Sequence, residues 1–180
     1  MKKRFDASRK RYTLCILVQD IPGVLSQVAR LFSRKGYNIE SIVSGATDRP
    51  HITRISIELI ADEMMIEQIA AQCRKLLPVL AVKVLDSDGS IHREIALIKV
   101  RTEDRDGREE VIQIANIFRA KIIDICRDSL TIAVFGTPVK NDALIDTLAD
   151  FSILEIAKSG TLAMERGPDT IYQALQEAES

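Results

Sequence analysis

The chain has 180 residues, 46% hydrophobic and 28% charged, with 25 Lys and Arg against 26 Asp and Glu. A net charge of −1 lacks the basic excess of a general nucleic-acid binder, and 4% aromatics without Trp leave little for a base-stacking surface. The apolar content excludes a disordered chain, and the longest apolar run, Leu76 to Val82, is far short of the ~20 residues that span a membrane.

The start Met1-Lys2-Lys3-Arg4 runs into Phe5-Asp6-Ala7-Ser8 instead of an apolar stretch. It is therefore no secretory signal, and residues 1–10 read as a solvated tail. Tyr12 to Val18 alternates as a strand. Gln19-Asp20-Ile21-Pro22-Gly23 is a turn. Leu25, Val28, Ala29 and Phe32 then fall on one helical face, and Gly36 ends that helix. Tyr37 to Ala46 reads as a second strand, Asp48-Arg49-Pro50 as a turn, and the alternation around Ile55, Ile57 and Leu59 as a third strand. Ile66, Ile69, Ala70 and Cys73 mark a second helix that ends near Leu77, before Pro78, and Val79 to Leu85 is a fourth strand. The order is βαββαβ, the ferredoxin-like plan.

Asp86-Ser87-Asp88-Gly89-Ser90 is the expected linker, after which the order recurs. Strands are predicted at Glu94–Val100, Lys121–Cys126, Leu130–Phe135 and Ile153–Ala163, and helices at Val111–Phe118 and Asp142–Ala149. Leu25, Val28, Ala29, Leu31 and Phe32 overlay Val111, Ile114, Ala115, Ile117 and Phe118 at a constant shift of 86. The matching element order is the stronger sign of a repeat. The fold class is α+β: two ferredoxin-like βαββαβ domains in tandem, over 11–86 and 91–165, with a tail over 166–180. In that tail Ile171, Leu175 and Ala178 are spaced to line a short helix after Pro168. Cys15 and Leu17 make the first strand apolar on both faces. The surplus face calls for packing between halves or chains, hence at least a homodimer.

Catalytic patterns are absent. The three cysteines, Cys15, Cys73 and Cys126, are widely spaced and read as reduced, buried thiols of a cytoplasmic protein. His51 and His92 lie in different halves without metal-ligand spacing, and no phosphate-binding Gly loop or nucleophile elbow occurs. No cofactor or metal site is expected in this chain. Two features are sharper. In Asp20-Ile21-Pro22-Gly23-Val24-Leu25 the N–H groups of Gly23, Val24 and Leu25 open a helix and suit a carboxylate, while Asp20 suits an ammonium. Together they suit an α-amino acid. The second feature is Gly36-Tyr37-Asn38-Ile39-Glu40-Ser41, where the Asn38 amide both donates and accepts. Neither recurs in the second half, whose corresponding loop is Thr102-Glu103-Asp104-Arg105-Asp106-Gly107-Arg108.

These two strings, with Leu31-Phe32-Ser33-Arg34-Lys35-Gly36 between them, resemble an ACT domain over 11–86. More narrowly they resemble the small regulatory subunit of acetohydroxyacid (acetolactate) synthase. Arg93 to Val100, Ile117 to Asp124 and Ile153 to Gly160 carry that resemblance into the second half, and it spans about residues 11–167. It implies a non-catalytic partner of a large catalytic subunit, which would carry thiamine diphosphate, Mg and FAD and make the first common step of branched-chain amino-acid synthesis. It also implies activation of that subunit and feedback inhibition by valine. In the family, paired ACT domains hold the effector between chains. Carried over, Asp20, Ile21, Gly23, Val24 and Leu25 of one chain and Asn38 and Ile39 of its mate would line the site. Two positions depart from the family pattern: Asp20 stands where many members have Asn, and Lys158 where Arg is expected. The alternative function is a free-standing ACT-domain amino-acid sensor with no synthase partner.

Overall fold

The structure, a computed structural model, describes residues 9–86 and 88–178. They fall into two compact units, the second being His92–Gly160 and the first taking the residues on either side of it. The first unit opens with strand β1 (Lys10–Gln19), helix α1 (Val24–Lys35), and strands β2 (Ser41–Ala46) and β3 (Ile52–Ala61). Helix α2 (Glu63–Cys73) and strand β4 (Val79–Leu85) complete the expected βαββαβ order. The strands lie antiparallel in the order β2-β3-β1-β4. Strand alternation decides which β1 side chains meet the helices. Leu14, Ile16 and Val18 pack with Val28 and Phe32 of α1 and Ile66 and Ile69 of α2, all nearly or fully buried. Each such side chain contributes roughly 1.5–3 kcal/mol on burial.

Local chemistry sets the helix ends. Gly36 takes the left-handed conformation (φ 70°) at the end of α1, and its N–H donates to the carbonyls of Phe32 and Ser33. Tyr37 follows and packs edge-on against Phe32, with ring centroids 6.3 Å apart. The carboxylate of Asp62 caps α2, accepting from the Met65 N–H at 2.8 Å.

The second unit repeats the plan. It contains most of β5 (Ser90–Arg101), helix α3 (Arg105–Ile117), β6 (Lys121–Ile125) and β7 (Ser129–Gly136). Helix α4 (Pro138–Thr147), a 3-10 turn (Leu148–Asp150) and β8 (Ile153–Lys158) follow. The strand order β6-β7-β5-β8 is the first order with every number raised by four. Even an irregularity recurs, since β1 shifts register against β4 between Leu17 and Val18, and β5 against β8 between Lys99 and Val100. The carboxylate of Glu94, 6% exposed, accepts from the Asn141 amide at 3.2 Å and lies 3.5 Å from the Lys158 ammonium. Lys158 also pairs with Asp142 at 2.5 Å. Burial alone would lower the Lys158 pKa, but the Asp142 hydrogen bond and the charges of Glu94 and Asp142 outweigh it and raise it.

The structure departs from the sequence expectations in several places. Helix α3 starts at Arg105 and not at Val111, inside the loop expected over 102–108, because Asp104 caps it there, and α4 starts at Pro138 and not at Asp142, because Thr137 caps it. The second strand starts at Ser41 and not at Tyr37, because Tyr37 and Ile39 turn toward the helix core. The strand expected over Ile153–Ala163 breaks at Gly160 (φ 79°) into β8 and β9 (Leu162–Glu165). From Thr161 onward the chain is in the first compact unit. The expected helix after Pro168 is present as α5 (Ile171–Ala178), and Ala163, Ile171 and Leu175 bury against Cys15, Leu17, Ala81 and Leu85. The surplus face of the first sheet is thus covered by the chain's own C-terminal segment. The matching face of the second sheet stays open, with Ile95 47%, Leu97 40% and Phe135 63% exposed. Finally, Cys126 is exposed, while Cys15 and Cys73 are buried as expected. Burial pushes the Cys73 thiol up to about 12 despite nearby Arg74.

All three tyrosines, Tyr12, Tyr37 and Tyr172, fall in the first unit and there is no Trp, so tyrosine fluorescence reports that unit. Leu14→Ala is expected to lower its stability by about 2–5 kcal/mol, the cost of a large-to-small change at a fully buried site. Urea unfolding followed by tyrosine fluorescence measures it.

Candidate functional site

The loop Asp20–Gly23 joins β1 to α1 at one end of the first sheet. The Asp20 N–H donates to the His51 carbonyl at 2.9 Å, which ties the loop to the turn between β2 and β3. His51 holds φ at 63°, a conformation uncommon outside glycine. Gly23 is the N-cap of α1 at φ 82°, and no side chain caps this helix. By contrast, Asp62 caps α2, Asp104 caps α3 by accepting from Gly107 at 2.7 Å, and Thr137 caps α4. The Val24 N–H is taken by the Ile21 carbonyl at 3.3 Å, so the expected set of three open N–H groups loses one member. The Gln27 N–H returns to the Gly23 carbonyl, and helix geometry leaves the N–H groups of Leu25 and Ser26 without intrahelical acceptors. No acidic side chain lies in the first turn, so the positive end of the helix dipole is uncompensated there.

The side chains divide into two groups. Asp20 is exposed, and Ile21 (43% exposed) and Leu25 (41%) flank Gly23 as an apolar pair. Val24 is buried in the helix core, and Ile39 packs against that core. Val24 and Ile39 therefore offer backbone rather than side chain to any ligand. Asn38 is exposed, and its amide donates to Glu40 Oε1 at 2.6 Å, a contact that orients the amide. Glu40 in turn is anchored by its N–H on the Glu58 carbonyl at 2.9 Å.

The structure brings Asp20, Ile21, Gly23, Val24 and Leu25 together at the start of α1. It places Asn38 and Ile39 beyond the other end of that helix. Ten helical residues, 26–35, separate the two groups, about 15 Å at the usual rise. Sequence reasoning missed the His51 carbonyl and Glu40. Glu40 was visible beside Asn38, but nothing in the sequence marks His51 as the partner of Asp20. Among the described residues no group of three His, Cys, Asp or Glu is placed to hold a metal ion, and no helix is long and apolar enough to cross a membrane.

Two tandem βαββαβ units, the first with a Pro-Gly loop opening an uncapped helix, define an ACT-domain protein. Family models agree: residues 14–81 match the small-subunit-like ACT domain of acetohydroxyacid synthase, and residues 93–167 match the small subunit of acetolactate synthase. The acetolactate synthase small subunit of Mycolicibacterium smegmatis is 44% identical over 163 residues, covering 91% of this chain and 95% of that one. The probable small subunit of Methanothermobacter thermautotrophicus is 40% identical over 160 residues, 89% of this chain and 95% of that one. A crystal structure of the small subunit from Thermotoga maritima superposes with a TM-score of 0.78 at 38% identity, covering 89% of this chain and 99% of that one. The chain belongs to the family of acetolactate synthase small subunits, the regulatory component of that synthase.

A Cβ built on Gly23 meets nothing within 4 Å, so a side chain there costs only backbone strain. Gly23→Asp is expected to lower stability by about 1–2 kcal/mol, the penalty for a left-handed L-residue. The same urea titration should show this smaller loss, which makes the variant a folded probe of the loop.

Proposed function

We propose that this chain raises the activity of a thiamine-diphosphate-dependent catalytic subunit and makes it sensitive to a branched-chain amino acid, valine first. The observation that carries this reading is the uncapped start of α1 between the exposed side chains of Ile21 and Leu25. An effector carboxylate fits the open N–H groups and the helix dipole, its ammonium is attracted by Asp20, and its branched side chain has an apolar pair to cover. The family's relatives, named for the same synthase, support the choice of partner.

The effector lies between two copies of the chain. The loop of one copy and Asn38 of its mate approach the same molecule, since α1 holds the two features of a single chain about 15 Å apart. Effector binding then favours one arrangement of the pair over another. A coupling of 1–3 kcal/mol, the usual range for allosteric pairs, gives feedback of roughly 5- to 150-fold.

The test measures acetolactate formation by the same organism's catalytic subunit with and without this chain, each with and without valine. Activation that valine reverses is the expected result. Gly23→Asp should retain the activation and lose at least tenfold in valine sensitivity, because its carboxylate would stand where the effector's belongs. Full valine sensitivity in that variant would refute the loop as the site. No change in rate from the folded chain would refute the regulatory role and leave the free-standing sensor.

A further inference from the structure

The segment that follows the second unit in the chain is attached to the first unit at both ends of β2. At one end the Thr161 N–H contacts the Ser41 hydroxyl at 3.4 Å, directly after Asn38–Glu40. At the other end Tyr172 of α5 reaches the turn between β2 and β3. Its hydroxyl donates to Asp48 Oδ1 at 2.5 Å, and the Arg49 guanidinium stacks over its ring at 3.9 Å. The Tyr172 hydrogen bond is the main reason that the Asp48 carboxyl is held below its usual range. Between these ends the segment is fixed by the Arg54 guanidinium on the Ala163 carbonyl at 2.6 Å, by the Lys83–Glu165 ion pair and by the burial of Ile171 and Leu175.

The turn that Tyr172 grips is the one that holds the effector loop. Thr47 braces it, its N–H and hydroxyl both donating to the Ile52 carbonyl, and His51 within it accepts the Asp20 N–H. The connection therefore runs by contact from Tyr172 to Asp48 and Arg49, along the chain through Pro50 to His51, and by hydrogen bond from the His51 carbonyl to Asp20. The other end of the segment meets the start of β2 beside Asn38. Neither connection belongs to the βαββαβ repeat itself.

We propose that residues 161–178 form a strap that positions both features of the effector site, with Tyr172 as its positioning residue. The inference rests on the effector-site reading above for its function, but its mechanical part stands separately. The strap also gives the second unit a covalent route to the site, because it begins directly after Gly160, the last residue of that unit. A pull on the strap is thereby felt at the Asp20 loop, and closure of the loop on an effector is felt along the strap.

NMR-detected amide hydrogen exchange on the full chain tests this, with Tyr172→Phe and Tyr172→Ala. Tyr172→Phe removes only the hydroxyl and keeps the ring under Arg49, so it remains informative if the alanine variant fails to fold. The Asp20 amide should exchange about threefold faster in Tyr172→Phe and at least tenfold faster in Tyr172→Ala, with the β1 amides Leu14 to Val18 unchanged. A general loss of stability would instead accelerate all of them together. Asp20 exchange that stays at the wild-type rate in Tyr172→Phe, or rises only in step with the β1 amides, overturns the proposal. Valine titration of the same samples separates the two readings. A wild-type chain that does not bind valine removes the effector reading while the exchange result still decides the strap. If wild type binds, Tyr172→Phe should bind several-fold more weakly.

Discussion

The function proposed for the first unit turns on the length of helix α1 and on its two unlike ends. Its buried face, with Val28 and Phe32, locks it against the sheet. Its start is left open by Gly23, and its finish is closed by Gly36. Asp20, Ile21 and Leu25 gather at the open start, while Asn38 follows the closed finish. About 15 Å of helix between them is far more than one amino acid spans. A site that uses both features has to be built from two chains, and the proposed regulation becomes a property of the pair.

The two units show how a duplicated fold divides its work. Their strand orders and their register shifts match, so the difference lies in what was added to the frame. In the second unit Asp104 caps α3, which satisfies the N-terminus that the first unit leaves open. The first sheet has its outer face covered by Ala163, Ile171 and Leu175, whereas the second keeps Ile95, Leu97 and Phe135 exposed. The first unit is thus closed around a prepared loop, and the second presents an apolar sheet face to its surroundings.

The periodic elements were legible in the sequence because burial imposes the period. β4 was read to the residue from Val79 to Leu85, and α1 was bounded by Gly36. The loop was legible from Pro22 and Gly23, and Asn38 from its place between helix and strand. What escaped depends on contacts between residues far apart in the chain. The grip of His51 on Asp20 joins positions 31 apart through a main-chain carbonyl, which no side-chain pattern reports. Likewise, Ile153 to Ala163 has the composition of one strand, and the turn at Gly160 follows from the next residues finding a better apolar surface on the first sheet. Among the expected site residues, nothing in the sequence distinguishes Val24 and Ile39, whose side chains serve the core, from Asp20, Ile21, Leu25 and Asn38, whose side chains are exposed.

The central claim is that two chains share each effector site, and subunit mixing tests it most directly. Gly23→Asp spoils the loop side and Asn38→Ala the strand side, so neither variant alone has an intact site. A heterodimer of the two has one site with both lesions and one with neither. Valine titration of the co-refolded mixture should therefore recover binding of wild-type affinity at a fraction of the sites, while each variant alone shows none. If wild type binds valine and the mixture, confirmed to contain heterodimer, recovers no binding, the site is not shared between chains and the account is wrong.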